Sequence, residues 1–211
     1  MTELERQQKG MLYNPYKVKH LEYHTKKELV AKFNATSWDA GIDRMKYLKD
    51  VFAKMGDRAY IEPPFYCDHG WKISVGDNFY ANTGFLVLDE AEVIIGNNVF
   101  LAPRVCIYTA GHPIDAGVRN TALEFAKPVR IGNDVWIGGN VSINPGVTIG
   151  NNVVIGTGSV VVKDIPDGVV AVGNPCKVLR QITEQDHLFW KSQYDEYLND
   201  LDCSSPKEES L

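Results

Sequence analysis

Between Pro128 and Pro166 an aliphatic residue returns at every sixth position: Ile131, Ile137, Ile143, Ile149, Ile155 and Val161. Glycine follows directly at Gly132, Gly138, Gly150 and Gly156, and Val135, Val141, Val147 and Val153 stand four after an aliphatic. An amphipathic helix repeats near 3.6 residues and a half-buried strand at 2, so a sustained period of six fits neither element alone. It fits a parallel β-helix, in which each hexad supplies one short strand and one turn. Three hexads close a triangular coil, and coils stack about 4.8 Å apart, like strands in any sheet. The aliphatic points into the narrow interior, and Asn and Gly suit the left-handed backbone of tight corners.

The rhythm begins near Ile73 and runs through Val75-Gly76-Asp77-Asn78, Ala81 and Val87. It slips by two residues at Leu88-Asp89-Glu90-Ala91, then resumes at Ile95-Gly96-Asn97-Asn98, Leu101 and Ile107. Such a slip implies a bulged corner, and bulges gather beside functional sites. From Tyr108 to Lys127 the hexads are lost; a long loop in so strict a repeat points to function or disorder. Upstream, Glu28–Asn34 and Gly41–Met55 have helical spacing, the second with Ile42, Met45, Leu48, Val51, Phe52 and Met55 on one face. A helix is expected from Thr183 to about Leu201, with Thr183 as its N-cap, followed by a polar, mobile tail from Ser204. The expected class is mainly β: a helical cap over 1–60, a β-helix over 61–182 with a loop insertion at 108–130, and a C-terminal helix and tail over 183–211.

A chain of 211 residues with 44% hydrophobic content suits one extended domain with appendages. No apolar run is long enough to span a membrane, and Met1–Gly10 has no signal-peptide core, so a cytoplasmic protein is expected. Cys67, Cys106, Cys176 and Cys203 are widely spaced and form no CxxC pair. They read as reduced thiols, with no zinc site and no disulfide framework, and Cys106 reads as core. A net charge of −5 argues against nucleic acid as a partner but leaves room for a basic patch facing an anionic cofactor.

His112, between Gly111 and Pro113 on the insertion, is the side chain best suited to take a proton near neutral pH. Glu124, on the same insertion, suits the orientation of an imidazole, or is a solvated loop charge. Asp68, Asn82 and Asp89 lie beside turns; they suit either those turns or the hydroxyls of a polyhydroxylated acceptor. Trp136 suits an outer face flanking a ligand or a subunit interface, and Gly138-Gly139 allows close approach to the backbone. Lys163, Lys177 and Arg180 suit phosphates or open solvent.

Taken together, the hexads, His112-Pro113, Asn133-Asp134-Val135-Trp136-Ile137-Gly138, Gly146-Val147-Thr148-Ile149-Gly150 and Gly173-Asn174-Pro175-Cys176-Lys177-Val178-Leu179-Arg180 resemble the hexapeptide-repeat acyltransferases. The resemblance is closest to the maltose and galactoside O-acetyltransferases. It extends upstream through Leu12-Tyr13-Asn14, Phe33-Asn34-Ala35-Thr36, Glu62-Pro63-Pro64-Phe65, Cys67-Asp68-His69-Gly70 and Phe79-Tyr80-Ala81-Asn82. It implies a left-handed coil, a homotrimer, and acetyl-CoA held in clefts between subunits while its acetyl group moves to a sugar hydroxyl. It implies His112 as general base and Asp68, Asn82, Asp89 and the adjacent Glu90 as acceptor-binding residues. Acetyl-CoA would meet Gly139, Thr157, Val162, Lys163, Lys177 and Arg180, with Trp136 on the same track. The sequence departs from the family at His69, where Tyr is common, at Lys177, where Arg is common, and at Tyr16-Lys17-Val18-Lys19-His20. An amine or xenobiotic acceptor, or a non-catalytic assembly module, are the rival readings. The γ-class carbonic anhydrases resemble this chain in coil type, but their zinc needs three converging histidines, and His20, His24, His69, His112 and His187 are scattered.

Overall fold

A hexad becomes a strand because alternation sends one aliphatic inward while the main chain bonds to the coils above and below. The computed structural model describes residues 1–18 and 23–204. Its strands build the three walls of a left-handed parallel β-helix. The first wall contains Lys54–Met55, Ile73–Val75, Val93–Ile95, Val129–Ile131 and Thr148–Ile149. The second includes Tyr60–Ile61, Tyr80–Ala81, Val99–Leu101, Val135–Ile137, Val153–Ile155 and Val169–Val172. The third contains Phe65–Cys67, Phe85–Leu88, Cys106–Tyr108, Ser142–Ile143 and Val160–Val161. All six hexad aliphatics from Ile131 to Val161 are buried. They stack in register: Ile137 between Leu101 and Ile155, and Ile143 between Ile107 and Val161.

The corner between the first and second walls separates two duties that the Gly-Asn pattern combines. Asn78, Asn98, Asp134 and Asn152 take the left-handed backbone, at φ of 54°, 54°, 59° and 51°. The hexad glycines there serve a different purpose from the one expected. A Cβ on Gly96 would stand 2.6 Å from the Gly132 carbonyl oxygen, and one on Gly132 would stand 2.8 Å from that of Gly150. Glycine therefore permits the coils to touch, and Asn or Asp makes the turn. The residue between the glycine and the turn residue ties each coil to its neighbour. Asp57 N–H donates to Asp77 Oδ1, Asp77 to Asn97, Asn97 to Asn133, Asn133 to Asn151, and Asn151 to Asp167, at 2.7–2.9 Å. Partners lie 20, 20, 36, 18 and 16 residues apart, which are the lengths of successive coils. The two-residue slip is thus a lengthened coil, and the insertion doubles the length of the one after it.

Before the coils, helix Tyr23–Asn34 ends at an amide that brackets Phe65: Asn34 Nδ2 donates to the Phe65 carbonyl at 2.9 Å, and Phe65 N–H donates to Asn34 Oδ1 at 2.8 Å. The expected helix over Gly41–Met55 is shorter than its periodicity. A 3-10 segment, Trp38–Arg44, bends at Gly41, helix Met45–Lys49 follows, and Lys54–Met55 is already a strand. The cause is competition for the main chain: Ala53 and Gly56 N–H groups donate to the carbonyls of Ile73 and Val75. Met45, Leu48, Val51 and Phe52 are buried as their spacing suggests, whereas Ile42 is exposed. Helix Glu3–Gln8, held by a Thr2–Glu5 capping box, carries no apolar periodicity that would announce it. Cys106 departs from the expected core position: Ile107 takes the inward place, so Cys106 and Tyr108 face outward.

Met1–Arg180 forms one compact unit and Gln181–Leu211 a second. The second holds helix Glu184–Ser204, whose first turn is capped as expected, the Thr183 hydroxyl accepting the Asp186 N–H. The tail beyond Ser204, and Lys19 and His20, lie outside the described residues. Among the described residues no helix is long and apolar enough to cross a membrane.

Gly132→Ala forces a Cβ into the next coil, and overpacking of this kind costs about 1–3 kcal/mol. The urea midpoint should fall accordingly at fixed protein concentration, and by more than for Gly117→Ala, whose nearest neighbour is the Asp115 side chain at 3.2 Å.

Candidate active site

The insertion leaves the third wall after Tyr108 and folds back on itself. Ala110–Gly111 pairs antiparallel with Phe125–Ala126, and the short helix Ala116–Arg119, capped by Asp115, closes the far end. His112 follows the first of these strands and Glu124 precedes the second, so the pairing sets them opposite each other. His112 Nδ1 lies 3.1 Å from the Leu123 carbonyl oxygen. A carbonyl only accepts, so Nδ1 carries the hydrogen and the lone pair resides on Nε2. Glu124 Oε1 stands 3.8 Å from Nε2, and the imidazole is half exposed. The carboxylate therefore lies on the lone-pair side of the ring. The imidazole is oriented by the Leu123 carbonyl.

The lengthened corner of the coil forms the floor beneath this loop. Asp89 has no exposed surface, and its carboxylate accepts the N–H groups of Asp68 (3.0 Å), His69 (2.9 Å) and Gly70 (2.7 Å). This corrects the expectation for Asp89: both oxygens cap the 68–70 turn, so the residue shapes the site rather than facing an acceptor. The buried Thr109 hydroxyl donates to the Leu88 carbonyl and accepts the Ala91 N–H, pinning the other side of the corner.

Glu90 is the hub of the cluster. Its carboxylate receives Gln7 Nε2 at 2.6 Å, and lies 3.3 Å from the Tyr13 hydroxyl oxygen and 2.9 Å from His69 Nε2. Lys72 donates to its main-chain carbonyl at 2.7 Å. Burial alone would raise the Glu90 carboxyl, but hydrogen bonding and charge from His69, helped by Lys72, outweigh it and hold the group below its ordinary 4.5. Burial, then the charges of Glu90 and Asp89, push the neighbouring Asp68 carboxyl above the usual range. Burial also lowers the Lys72 ammonium, against the pull of the three carboxylates. A cleft of about 870 Å³ opens beside Glu90, with Gln7, Trp71, Lys72 and Lys127 in its walls. Tyr13, Gln7 and Lys72 were not singled out from the sequence. The only signal was the Leu12-Tyr13-Asn14 motif, which carried no stated chemistry.

Residues 128–163 match the family model for the bacterial transferase hexapeptide (six repeats). The galactoside O-acetyltransferase of Escherichia coli K12 is 44% identical over 168 residues, spanning 80% of this chain and 83% of that protein. A crystal structure of a maltose O-acetyltransferase from Clostridium difficile 630 superposes with a TM-score of 0.83 at 48% identity, covering 87% of this chain and 99% of that one. A galactoside acetyltransferase in complex with coenzyme A gives the same TM-score at 41% identity, covering 89% and 94%. This chain is a hexapeptide-repeat acetyltransferase.

Three of the remaining candidates in this acetyltransferase lie along a different corner from His112. Asn82, Gly139 and Thr157 sit where the second wall turns into the third. The Gly139 carbonyl accepts the Gly158 N–H at 2.8 Å, so these turns stack directly. Asn82 Oδ1 accepts the Thr83 N–H at 2.8 Å, which leaves Nδ2 as its outward donor. Trp136 projects from the second wall between Phe100 and Val154, 53% exposed. Val162 and Lys163 are exposed between the third-wall strand Val160–Val161 and Ile165, which bridges to the first wall, and Lys177 and Arg180 are exposed on the last strand, Lys177–Gln181. A single chain therefore gathers His112, Glu124, Asp68 and Glu90 at one corner and sets the track of Gly139, Thr157 and Trp136 apart from them.

Asp89→Ala strands the buried N–H groups of His69 and Gly70, at about 1–3 kcal/mol each, whereas the Asp68 N–H keeps the Val87 carbonyl; thermal melting should show a large loss of stability. Glu90 is held below its unfolded value, so its ionisation stabilises the fold above about pH 4.5, and that stability is lost as pH falls through the folded value. Urea midpoints should thus drop less on acidification in Glu90→Gln than in the parent.

Proposed function

We propose that the chain transfers an acetyl group from acetyl-CoA directly to a hydroxyl of a sugar of the maltose, glucose or galactoside type, with His112 as general base. The observation that carries this reading is the geometry of His112: Nδ1 is committed to the Leu123 carbonyl, so a half-exposed Nε2 presents its lone pair beside Glu124. A sugar hydroxyl is a poor nucleophile near neutral pH, and acetyl-CoA supplies an activated thioester with a good leaving group. His112 Nε2 removes the hydroxyl proton as that oxygen bonds to the acetyl carbon, and returns the proton to the sulfur as the carbon–sulfur bond breaks. Glu124 stabilises the imidazolium in between. Asp68, Asn82 and Glu90 bind acceptor hydroxyls, the carboxylates as acceptors and the Asn82 amide as a donor. The Gly139 amide lies between two amides already committed, Gly138 to Ile155 and Asn140 to Pro103, and steadies the developing oxyanion.

The residues that face the donor fit its chemistry. Gly139 and Thr157 offer stacked turns beside Trp136, Val162 adds an exposed apolar side chain, and Lys163, Lys177 and Arg180 supply cations for phosphates. The base and the Gly139 and Thr157 turns occupy different corners of the β-helix. We infer a homotrimer in which the Gly139 corner of one copy meets the His112 corner of the next, completing the site between subunits. The outward row Tyr60, Tyr80, Phe100 and Trp136 supports self-association: the four are paired in register along the second wall, with Phe100 and Trp136 well exposed.

Release of the CoA thiol, measured with maltose, glucose and a β-galactoside, tests the assignment. His112→Ala should lower kcat by about 10²–10⁴-fold with acetyl-CoA binding retained, and turnover near that of the parent would refute the base. An amine acceptor preferred over all three sugars would favour the rival substrate class. Sedimentation equilibrium should return three chains per particle.

A further inference from the structure

Five side chains link the base to the interior of the coil. His112 Nε2 faces Glu124 Oε1, Glu124 Oε2 lies 3.1 Å from the Tyr13 hydroxyl, that hydroxyl lies 3.3 Å from Glu90 Oε2, and Glu90 Oε1 lies 2.9 Å from His69 Nε2. Tyr13 sits at the centre, fully buried, with one hydroxyl proton and two carboxylate neighbours. Glu90 Oε2 already receives the Gln7 amide at 2.6 Å, so the Tyr13 proton goes to the nearer and less supplied Glu124. Burial, with the charges of both glutamates, raises the phenol far above its ordinary value, so it remains a donor across the working pH range.

The main chain repeats the connection. Tyr13 N–H donates to the Glu124 carbonyl at 2.9 Å, and Glu124 N–H donates to the Tyr13 carbonyl at 3.0 Å. The segment that carries both Glu124 and the Leu123 carbonyl under His112 is therefore clamped by a residue 111 positions away. The N-terminal segment is itself braced for this task. Asn14 N–H donates to Glu3 Oε2 at 2.7 Å, Arg6 Nε donates to the Leu12 carbonyl at 2.5 Å, and helix Glu3–Gln8 packs on Phe125–Ala126.

We propose that Tyr13 is a positioning residue for acetyl transfer: its hydroxyl holds one oxygen of Glu124, which aims the other at His112 Nε2, where positive charge develops. The proposal rests on His112 acting as the base. It makes the first eighteen residues part of the active site rather than a cover for the end of the coil. Tyr13→Phe removes only the hydroxyl and keeps the buried ring and both main-chain bonds.

The test is a cycle of Tyr13→Phe, Glu124→Gln and the double variant, with His112→Ala alongside. Thiol release is followed with acetyl-CoA and the fastest of the three sugars. Tyr13→Phe should lower kcat about tenfold, as expected for loss of a hydrogen bond to a charged group, while KM for acetyl-CoA changes by less than about twofold. On the Glu124→Gln background the same change should cost less than about twofold, because Tyr13 acts through that carboxylate. Parental kcat in Tyr13→Phe, or an equal loss on both backgrounds, overturns the proposal. If His112→Ala is inactive while Tyr13→Phe is unimpaired, the role of Tyr13 alone falls. If His112→Ala stays active, the base assignment falls and the Tyr13 proposal with it.

Discussion

Everything in this molecule depends on how closely one coil can lie on the next. Main-chain bonds fix the spacing of stacked strands near 4.8 Å, and at that distance a corner has room for a backbone but not for a Cβ. The run Gly76, Gly96, Gly132 and Gly150 meets that limit, and the Asp-Asn ladder beside it converts proximity into hydrogen bonds from Asp57 to Asp167. The aliphatic interior then follows with little freedom, since each inward residue must sit on the one a coil earlier. Such a column is rigid because shifting one coil would break bonds on both of its sides.

A rigid column has few places to hold chemistry, and this one holds it where a coil is longer than the regular eighteen residues. Two extra residues at Asp89-Glu90 let a carboxylate turn inward and cap three N–H groups. The hairpin-like insertion after Tyr108 returns to the same corner and brings His112 and Glu124 above it. Thr109 joins the two irregularities, bonding Leu88 and Ala91 from the root of the insertion. The site is thus a pair of defects held in fixed relation by the regular coils on either side.

Charge inside that corner is managed by pairing. Glu90 stays ionised because His69, Lys72, Gln7 and Tyr13 surround it, and Asp68, with less support and two acidic neighbours, is pushed toward its neutral form. One buried cluster therefore holds carboxyl groups with opposite tendencies. With the Gln7 amide and the Lys72 ammonium as donors beside these carboxylates, the cluster suits hydroxyls, which need acceptors and donors together.

The walls, the interior, the lengthened corner and the insertion with His112 were all legible in the sequence, because each is a property of spacing along the chain. A period of six names its own fold, and a break in the period names its own position. The second helix was misjudged at its end because apolar spacing cannot tell that Ala53 and Gly56 bond to a coil some twenty residues ahead. Asp89 was legible as a site residue but not as a buried cap, and the core reading of Cys106 gives way to the hexad phase, which sends its neighbour Ile107 inward. Tyr13 and Gln7 left almost no trace: they lie in a polar segment with no repeat, and their partners are 111 and 83 positions away. Sequence alone determined the coil, because its forces act between residues at fixed intervals. Only the tertiary structure decided which carbonyl orients His112, on which side of the ring Glu124 stands and what holds it there, because those contacts join stretches of chain that share no period.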